Sequence, residues 1–242
     1  MPDPMEYAVD PLLSAADKVL GEGYSAVLYG SLARGDYSPV SSDVNLLLVL
    51  DSVDPAILRA LSPAFLEWRA HSPEPPLLMS RAEWERATDV FPIEIVDMQA
   101  ARRVLRGADP VAHLTVDPTD LRRALESDFR GKLLRLRQGY TLFAGRPVEL
   151  GKLALSSAPT ALVLFRCLLT LLGRTPATPV DGEAVIAAAA RAVDFSPEGP
   201  LEVVRRRGAT GWRCPPETFE AYLGAIVRAA QYVDQLPPGD AS

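Results

Sequence analysis

The stretch from Val27 to Leu48 constrains this chain more than any other. The apolar run Val27-Leu28-Tyr29 enters Gly30-Ser31, and Leu32-Ala33-Arg34-Gly35 follows. A loop rich in Ser, Asp and Pro then leads to Ser42-Asp43-Val44-Asn45 and the apolar Leu46-Leu47-Leu48. Apolar runs of this length, bounded by turn residues, read as buried strands, here 24–29 and 43–50. Gly30 has no Cβ, so its backbone can approach an anion closely. Ser31 adds a hydroxyl donor, and the N–H groups of a helix start behind it suit a phosphate. Arg34 is able to reach a phosphate with two parallel donors, or to pair with Asp36 as an ordinary loop cation. Asp43 and Asn45 are two residues apart, so on a strand both point to one face. Two oxygen-bearing side chains beside a phosphate cradle point to a hard divalent cation such as Mg2+.

Gly30-Ser31, then Ala33-Arg34-Gly35, then Ser42-Asp43-Val44-Asn45 on a strand resembles the motif of the nucleotidyltransferase superfamily related to DNA polymerase beta. The resemblance implies a mixed sheet with flanking helices. It also implies transfer of a nucleoside monophosphate from a nucleoside triphosphate, with ATP the expected nucleotide, to an acceptor hydroxyl with Mg2+. Carried over residue by residue, Gly30, Ser31 and Arg34 are the nucleotide-binding positions. Asp43, Asn45 and Glu94 are the metal positions, and Asp43 and Glu94 the catalytic ones. Glu94 enters because such proteins place a third carboxylate on a later strand, where it acts as base toward the acceptor. In this chain that strand is expected at 93–98, in one sheet with 24–29 and 43–50. One position departs from the family: Asn45 stands where a second Asp is usual. An amide oxygen ligates a cation without charge and bridges two metals poorly. The competing reading is therefore a catalytically degenerate nucleotide-binding regulator or antitoxin-like module. A third is a scaffold that has kept only the fold.

The rest of the chain alternates strand and helix as far as Val116-Asp117-Pro118 and is helical beyond it. This predicts a nucleotidyltransferase-like domain at 1–117 and an all-α bundle at 118–242, an α+β architecture in two domains. Asp10-Pro11, Asp54-Pro55, Ser80, Asp117-Pro118 and Asp181 read as helix starts. Ser157 and Pro159 are expected to open a helix at 158–172. A short strand is expected at 77–79 and a short basic helix at 99–106, ended by Gly107. Asp97 is expected to cap that helix. Leu121, Leu125, Phe129, Leu133, Leu136 and Tyr140 recur at helical spacing. The cations Arg122, Arg123, Arg130, Lys132, Arg135 and Arg137 on the same segment read as a solvated face.

Among 242 residues with a net charge of −6, no overall basic character points to nucleic acid. Cys167 and Cys214 make no metal spacing and no disulfide framework. The N-terminus lacks a signal core, and the apolar run 161–172 contains Arg166 and falls short of the about 20 residues that span a bilayer. These features predict a cytoplasmic protein with no membrane contact. The expected partners are a nucleoside triphosphate and an acceptor that is a small molecule, a protein or an RNA; a homodimer is compatible with the sequence. The tail 237–242 is expected to be disordered.

Overall fold

The computed structural model describes residues 3–37, 42–72, 74–174 and 181–237; the expected disorder at 238–242 lies outside them. The chain forms two compact units. One gathers the chain up to Tyr37 with Ser42–Phe91 and Asp97–Thr115; the other gathers Pro92–Val96 and the chain from Val116 on.

The first unit is built on a four-stranded mixed sheet. Its strands are β1 (Tyr24–Tyr29), β2 (Asn45–Leu50), β3 (Leu77–Ser80) and β4 (Arg102–Arg106), in the order β3-β2-β1-β4. β1 runs antiparallel to both β2 and β4, while β2 and β3 are parallel. The parallel pair requires a crossover, supplied by α3 (Pro55–Trp68). β1 and β2 are buried along nearly their whole length, which is why their sequences are continuous apolar runs rather than alternating ones. Tyr24, Ala26, Leu28, Leu46, Leu48 and Leu50 pack with Leu12, Leu13 and Ala16 of α1 (Asp10–Leu20) and with Leu61, Ala64 and Trp68 of α3.

Several local expectations change. Asp10 does not cap α1; a π-helical turn at Met5–Val9 runs straight into it, with no side-chain cap. Asp54 does cap α3, accepting from the amides of Ala56 and Ile57, and α3 continues through Pro63. Ser80 and Glu83 form a reciprocal capping box on α4 (Arg81–Trp84).

The largest correction lies at 92–106, where helix and strand are transposed. Residues Pro92–Ala100 form a helix, α5, and the basic segment behind it is strand β4. Pro92 suits the first helical position. Ile93 and Val96, three apart and so on one helical face, are buried in the core of the second unit. In β4, Arg102 pairs with Asp109 at 2.8 Å and Arg106 with Asp17 at 3.1 Å. Gly107, at φ 64°, ends the strand where any Cβ would overlap the Tyr24 carbonyl.

The second unit contains α6 (Pro118–Phe143), α7 (Pro147–Leu171), α8 (Gly182–Val193), α9 (Glu198–Arg205) and α10 (Pro216–Gln235). No strand follows residue 118 among the described residues. Asp117 and Asp181 accept from the helix-start amides of Thr119 and Ala184. Pro159 does not open a helix: α7 starts at Pro147 and passes through it. α7 is consequently longer than the apolar run suggested, and it is long and apolar enough to cross a membrane by length and composition alone. Its Leu162, Phe165, Cys167 and Leu168 are buried in the core of the unit, the pattern of a central core helix. Gly139 and Gly151 allow close packing; a Cβ would strike the Leu153 side chain and the Trp212 carbonyl respectively.

Lys132 departs from the solvated face expected of α6. It is 4% exposed, and its ammonium donates to the Ser157 carbonyl oxygen at 2.9 Å. The Ser157 hydroxyl meets the buried Tyr222 hydroxyl at 2.7 Å. Three other cations of α6 find carboxylate partners: Arg122 pairs with Glu126, Arg123 with Asp120, and Arg130 with both Glu126 and Asp234.

Candidate functional site

The register of the sheet brings the two halves of the motif together. Tyr29 is directly opposite Asn45, so the residue after Tyr29, Gly30, turns beside the start of β2. Gly30 has φ 75°, a conformation that disfavours a side chain. A Cβ there would fall 2.5 Å from Asn45 Nδ2. The Asn45 amide therefore packs directly on the glycine, and the turn is shaped for a residue without a side chain.

From Gly30 the chain enters the short helix α2 (Ser31–Arg34). Backbone bonds close this turn: Arg34 N–H donates to Gly30 O at 3.0 Å, Gly35 N–H to Ser31 O at 2.9 Å, and Asp36 N–H to Ser31 O at 3.1 Å. Gly35, at φ 85°, terminates it in the left-handed region. Ser31 is 8% exposed, and among the described residues its hydroxyl has no protein partner.

Asp43 lies two residues before β2 rather than on it, and it is exposed. The strand alternation expected to align it with Asn45 thus does not apply, although both lie at the mouth of β2. Asp43 is near Tyr37: burial, a hydrogen bond with Tyr7 and the Asp43 charge push the Tyr37 phenol up to about 12.

Arg34 takes neither of its two expected roles alone. Its Nη1 donates to both carboxylate oxygens of Asp97, at 3.0 and 3.2 Å. Its Nε lies 3.5 Å from Asp36 Oδ1, within ion-pair range but without hydrogen-bond alignment. Asp97 is buried, and it sits inside α5 rather than capping a following helix. The sequence held one signal for this: Asp97 stands between Val96 and Met98 in an apolar run, where a carboxylate requires a partner.

Glu94 occupies the first turn of α5, where a carboxylate suits the positive end of the helix. It belongs to the segment Pro92–Val96 that packs with the helical unit. The strand that was to align it with Asp43 and Asn45 does not exist. Among the described residues, no three His, Cys, Asp or Glu side chains gather as a metal centre. What the mouth of β2 offers a cation is the Asp43 carboxylate and the Asn45 amide. Both are oxygen donors of the kind Mg2+ accepts when phosphates and water complete its octahedron.

Neither cysteine adds chemistry. Cys167 is buried and placed to donate to the Ile93 carbonyl, and burial pushes the Cys214 thiol up to about 11. His71 makes a ring contact with Tyr7.

No protein-family model matches the sequence, and no curated protein matches it significantly. The fold does have solved counterparts. A spectinomycin adenyltransferase from Enterococcus faecialis, solved with ATP and spectinomycin, superposes with a TM-score of 0.61. The match covers 92% of this chain and 98% of the other at 14% identity. With its small mixed sheet, flanking helices and helical continuation, the chain has the fold of that adenyltransferase.

Proposed function

We propose that this protein is a Mg2+-dependent nucleotidyltransferase that moves a nucleoside monophosphate, from ATP in the first instance, to a hydroxyl of a small-molecule acceptor. The observation that carries the reading is the Gly30-Ser31 turn. It combines a glycine whose backbone is open to close approach, a nearly buried serine whose hydroxyl no group among the described residues claims, and Asn45 packed against the glycine. A phosphate is the ligand such a turn suits. The fold neighbour, solved with ATP and spectinomycin, supports a small acceptor over a polymer, as does the net charge of −6.

In this reading Gly30 and Ser31 hold the triphosphate, and Arg34 contributes the donors that Asp97 leaves unused. Asp43 and Asn45 would hold Mg2+, which neutralises phosphate charge and orients the α-phosphoryl group. The acceptor oxygen forms a bond to the α-phosphorus, the bond from that phosphorus to the bridging oxygen breaks, and pyrophosphate leaves with the electron pair. Glu94 is proposed as the base that takes the hydroxyl proton, a role to be tested by Glu94→Gln independently of the cradle.

The test is incubation with each labelled nucleoside triphosphate, Mg2+ and a panel of hydroxyl-bearing small molecules. Label on an acceptor with wild type, lost in Ser31→Ala, is the expected result. Glu94→Gln should keep triphosphate affinity and lose roughly 100- to 10,000-fold in rate. Asn45 favours a second reading, a nucleotide-binding regulator, because an amide supplies no charge to hold a metal pair. Mg2+-dependent nucleotide binding with no label from any nucleotide would select that reading.

A further inference from the structure

The motif residue Arg34 is anchored by a residue that the motif does not contain. α2 is four residues long, too short to hold its shape by its own hydrogen bonds. Its one long-range side-chain hydrogen bond among the described residues is from Arg34 to Asp97, across 63 residues of sequence. The Arg34 and Asp97 side chains are 15% and 7% exposed, so the pair is poorly screened by solvent. Both oxygens of Asp97 accept from the same Nη1, which fixes that end of the guanidinium. Nε is buried without an aligned acceptor, and Nη2 makes no protein hydrogen bond among the described residues.

We propose that Asp97 is a positioning residue for the phosphate cradle: it holds the Arg34 guanidinium, and through it the Gly30–Asp36 turn, in the geometry that receives a triphosphate. This inference rests on the nucleotide-binding reading for its ligand, but not for its mechanical content. The local charge supports the division of roles. Arg34 faces two carboxylates, Asp36 and Asp97, so its positive charge is already offset. Its contribution to binding is then directional donation from a fixed plane, not bulk attraction of an anion. A fixed donor binds with less ordering entropy than a mobile one. A guanidinium released from Asp97 would keep its charge and lose that advantage.

Asp97→Asn removes the charge but keeps the shape, and Asp97→Glu keeps the charge with a longer reach. Binding of each Mg2+–triphosphate is measured by calorimetry on wild type, Asp97→Asn, Asp97→Glu, Arg34→Gln and the Asp97→Asn/Arg34→Gln pair. Amide hydrogen exchange at Gly35 and Asp36 is followed in parallel without nucleotide. The expected result is about a tenfold loss of affinity in Asp97→Asn and in Arg34→Gln, with no further loss in the double variant. Asp97→Glu should recover part of it, and in the activity assay KM should rise more than kcat falls. Exchange at Gly35 and Asp36 should accelerate about tenfold or more in Asp97→Asn while amides in the centre of β1 stay protected. A folded Asp97→Asn with affinity within twofold of wild type, or losses that add in the double variant, overturns the proposal. If wild type binds no triphosphate, the nucleotide reading fails. Exchange then decides alone: unchanged protection at Gly35 and Asp36 in Asp97→Asn overturns the positioning role, and selective loss sustains it.

Discussion

Lys132→Met should leave the protein nearly as stable as wild type at pH 7 and remove a pH dependence that wild type shows. Burial drives the Lys132 ammonium from the ordinary 10.5 down to about 8, with Arg135 adding to the shift and Asp128 opposing it. That displacement corresponds to roughly 3 kcal/mol of bias against the charged form at neutral pH. Against it stands the Ser157 carbonyl, which loses this donor in the variant whichever protonation state the amine has, at a cost of about 1–3 kcal/mol. The two nearly offset. Methionine is close to lysine in length and volume and fills the space without polar demand. No carboxylate lies within ion-pair distance of the ammonium among the described residues, so the substitution strands no partner charge. The expected change is within about 1 kcal/mol of zero, against the 3–5 kcal/mol that breaking a buried ion pair costs. The sign of the pH effect follows from the proton count. Between about 8 and 10.5 the unfolded chain binds more protons at this site than the folded one. Wild-type stability should therefore gain from this site as pH rises through that window, and the burial penalty is fully present below it. Urea unfolding followed by far-UV circular dichroism at half-unit steps from pH 7 to 10 measures both. A loss above about 2 kcal/mol at pH 7, or a difference between wild type and Lys132→Met that does not change from pH 8 to 10, would refute the reasoning.

Other substitutions probe the cradle and the bundle. Gly30→Ala forces a side chain into φ 75° and against the Asn45 amide. It should destabilise the sheet unit by about 1–3 kcal/mol and abolish triphosphate binding; calorimetry and a melting curve read the two effects. Asn45→Asp places a second carboxylate near Asp43. The variant should melt lower than wild type in chelator and recover with Mg2+, and equal Mg2+ responses in the two proteins would count against a cation at this position. Gly151→Ala drives a methyl into the Trp212 carbonyl. It should lose about 1–3 kcal/mol by overpacking despite alanine's better helix propensity, and a Tm at or above that of wild type would show that the loop carrying Trp212 moves aside freely.

The legible parts of this fold are those in which short-range chemistry and burial agree. β1 and β2 are continuous apolar runs ending at a glycine and at a polar doublet, and the Asp-Pro pairs at 54–55 and 117–118 mark true helix starts. The segment 92–106 was misleading because its alternation, Ile93-Glu94-Ile95, has the period of a strand. The competing i,i+3 pair, Ile93 and Val96, is decisive only once a core exists to bury it. Likewise Arg102 and Arg106 look like a solvated helix until Asp109 and Asp17 are brought to them, the latter from 89 residues away. Pro159 resembles a helix start because a proline suits a first turn; α7 tolerates it because the packing of that helix outweighs one missing backbone bond. Within the candidate site, the meeting of Gly30 with Asn45 is legible because hairpin pairing is local. Asp97 is not, since nothing near it in sequence names Arg34.

That same distance gives the turn a history during synthesis. β1, α2 and β2 emerge from the ribosome together and can pair at once, but Asp97 follows Arg34 by 63 residues, and β4 comes later still. At 5–20 residues per second the interval is roughly 3–13 s. Throughout it the sheet lacks one edge and the motif's arginine has no buried carboxylate to bind. A chain arrested before residue 97 should thus carry the whole motif, form the β1–β2 hairpin, and still be an incompetent cradle, vulnerable to protease at 30–36. The motif is complete early, and its geometry arrives with the helix that carries Asp97.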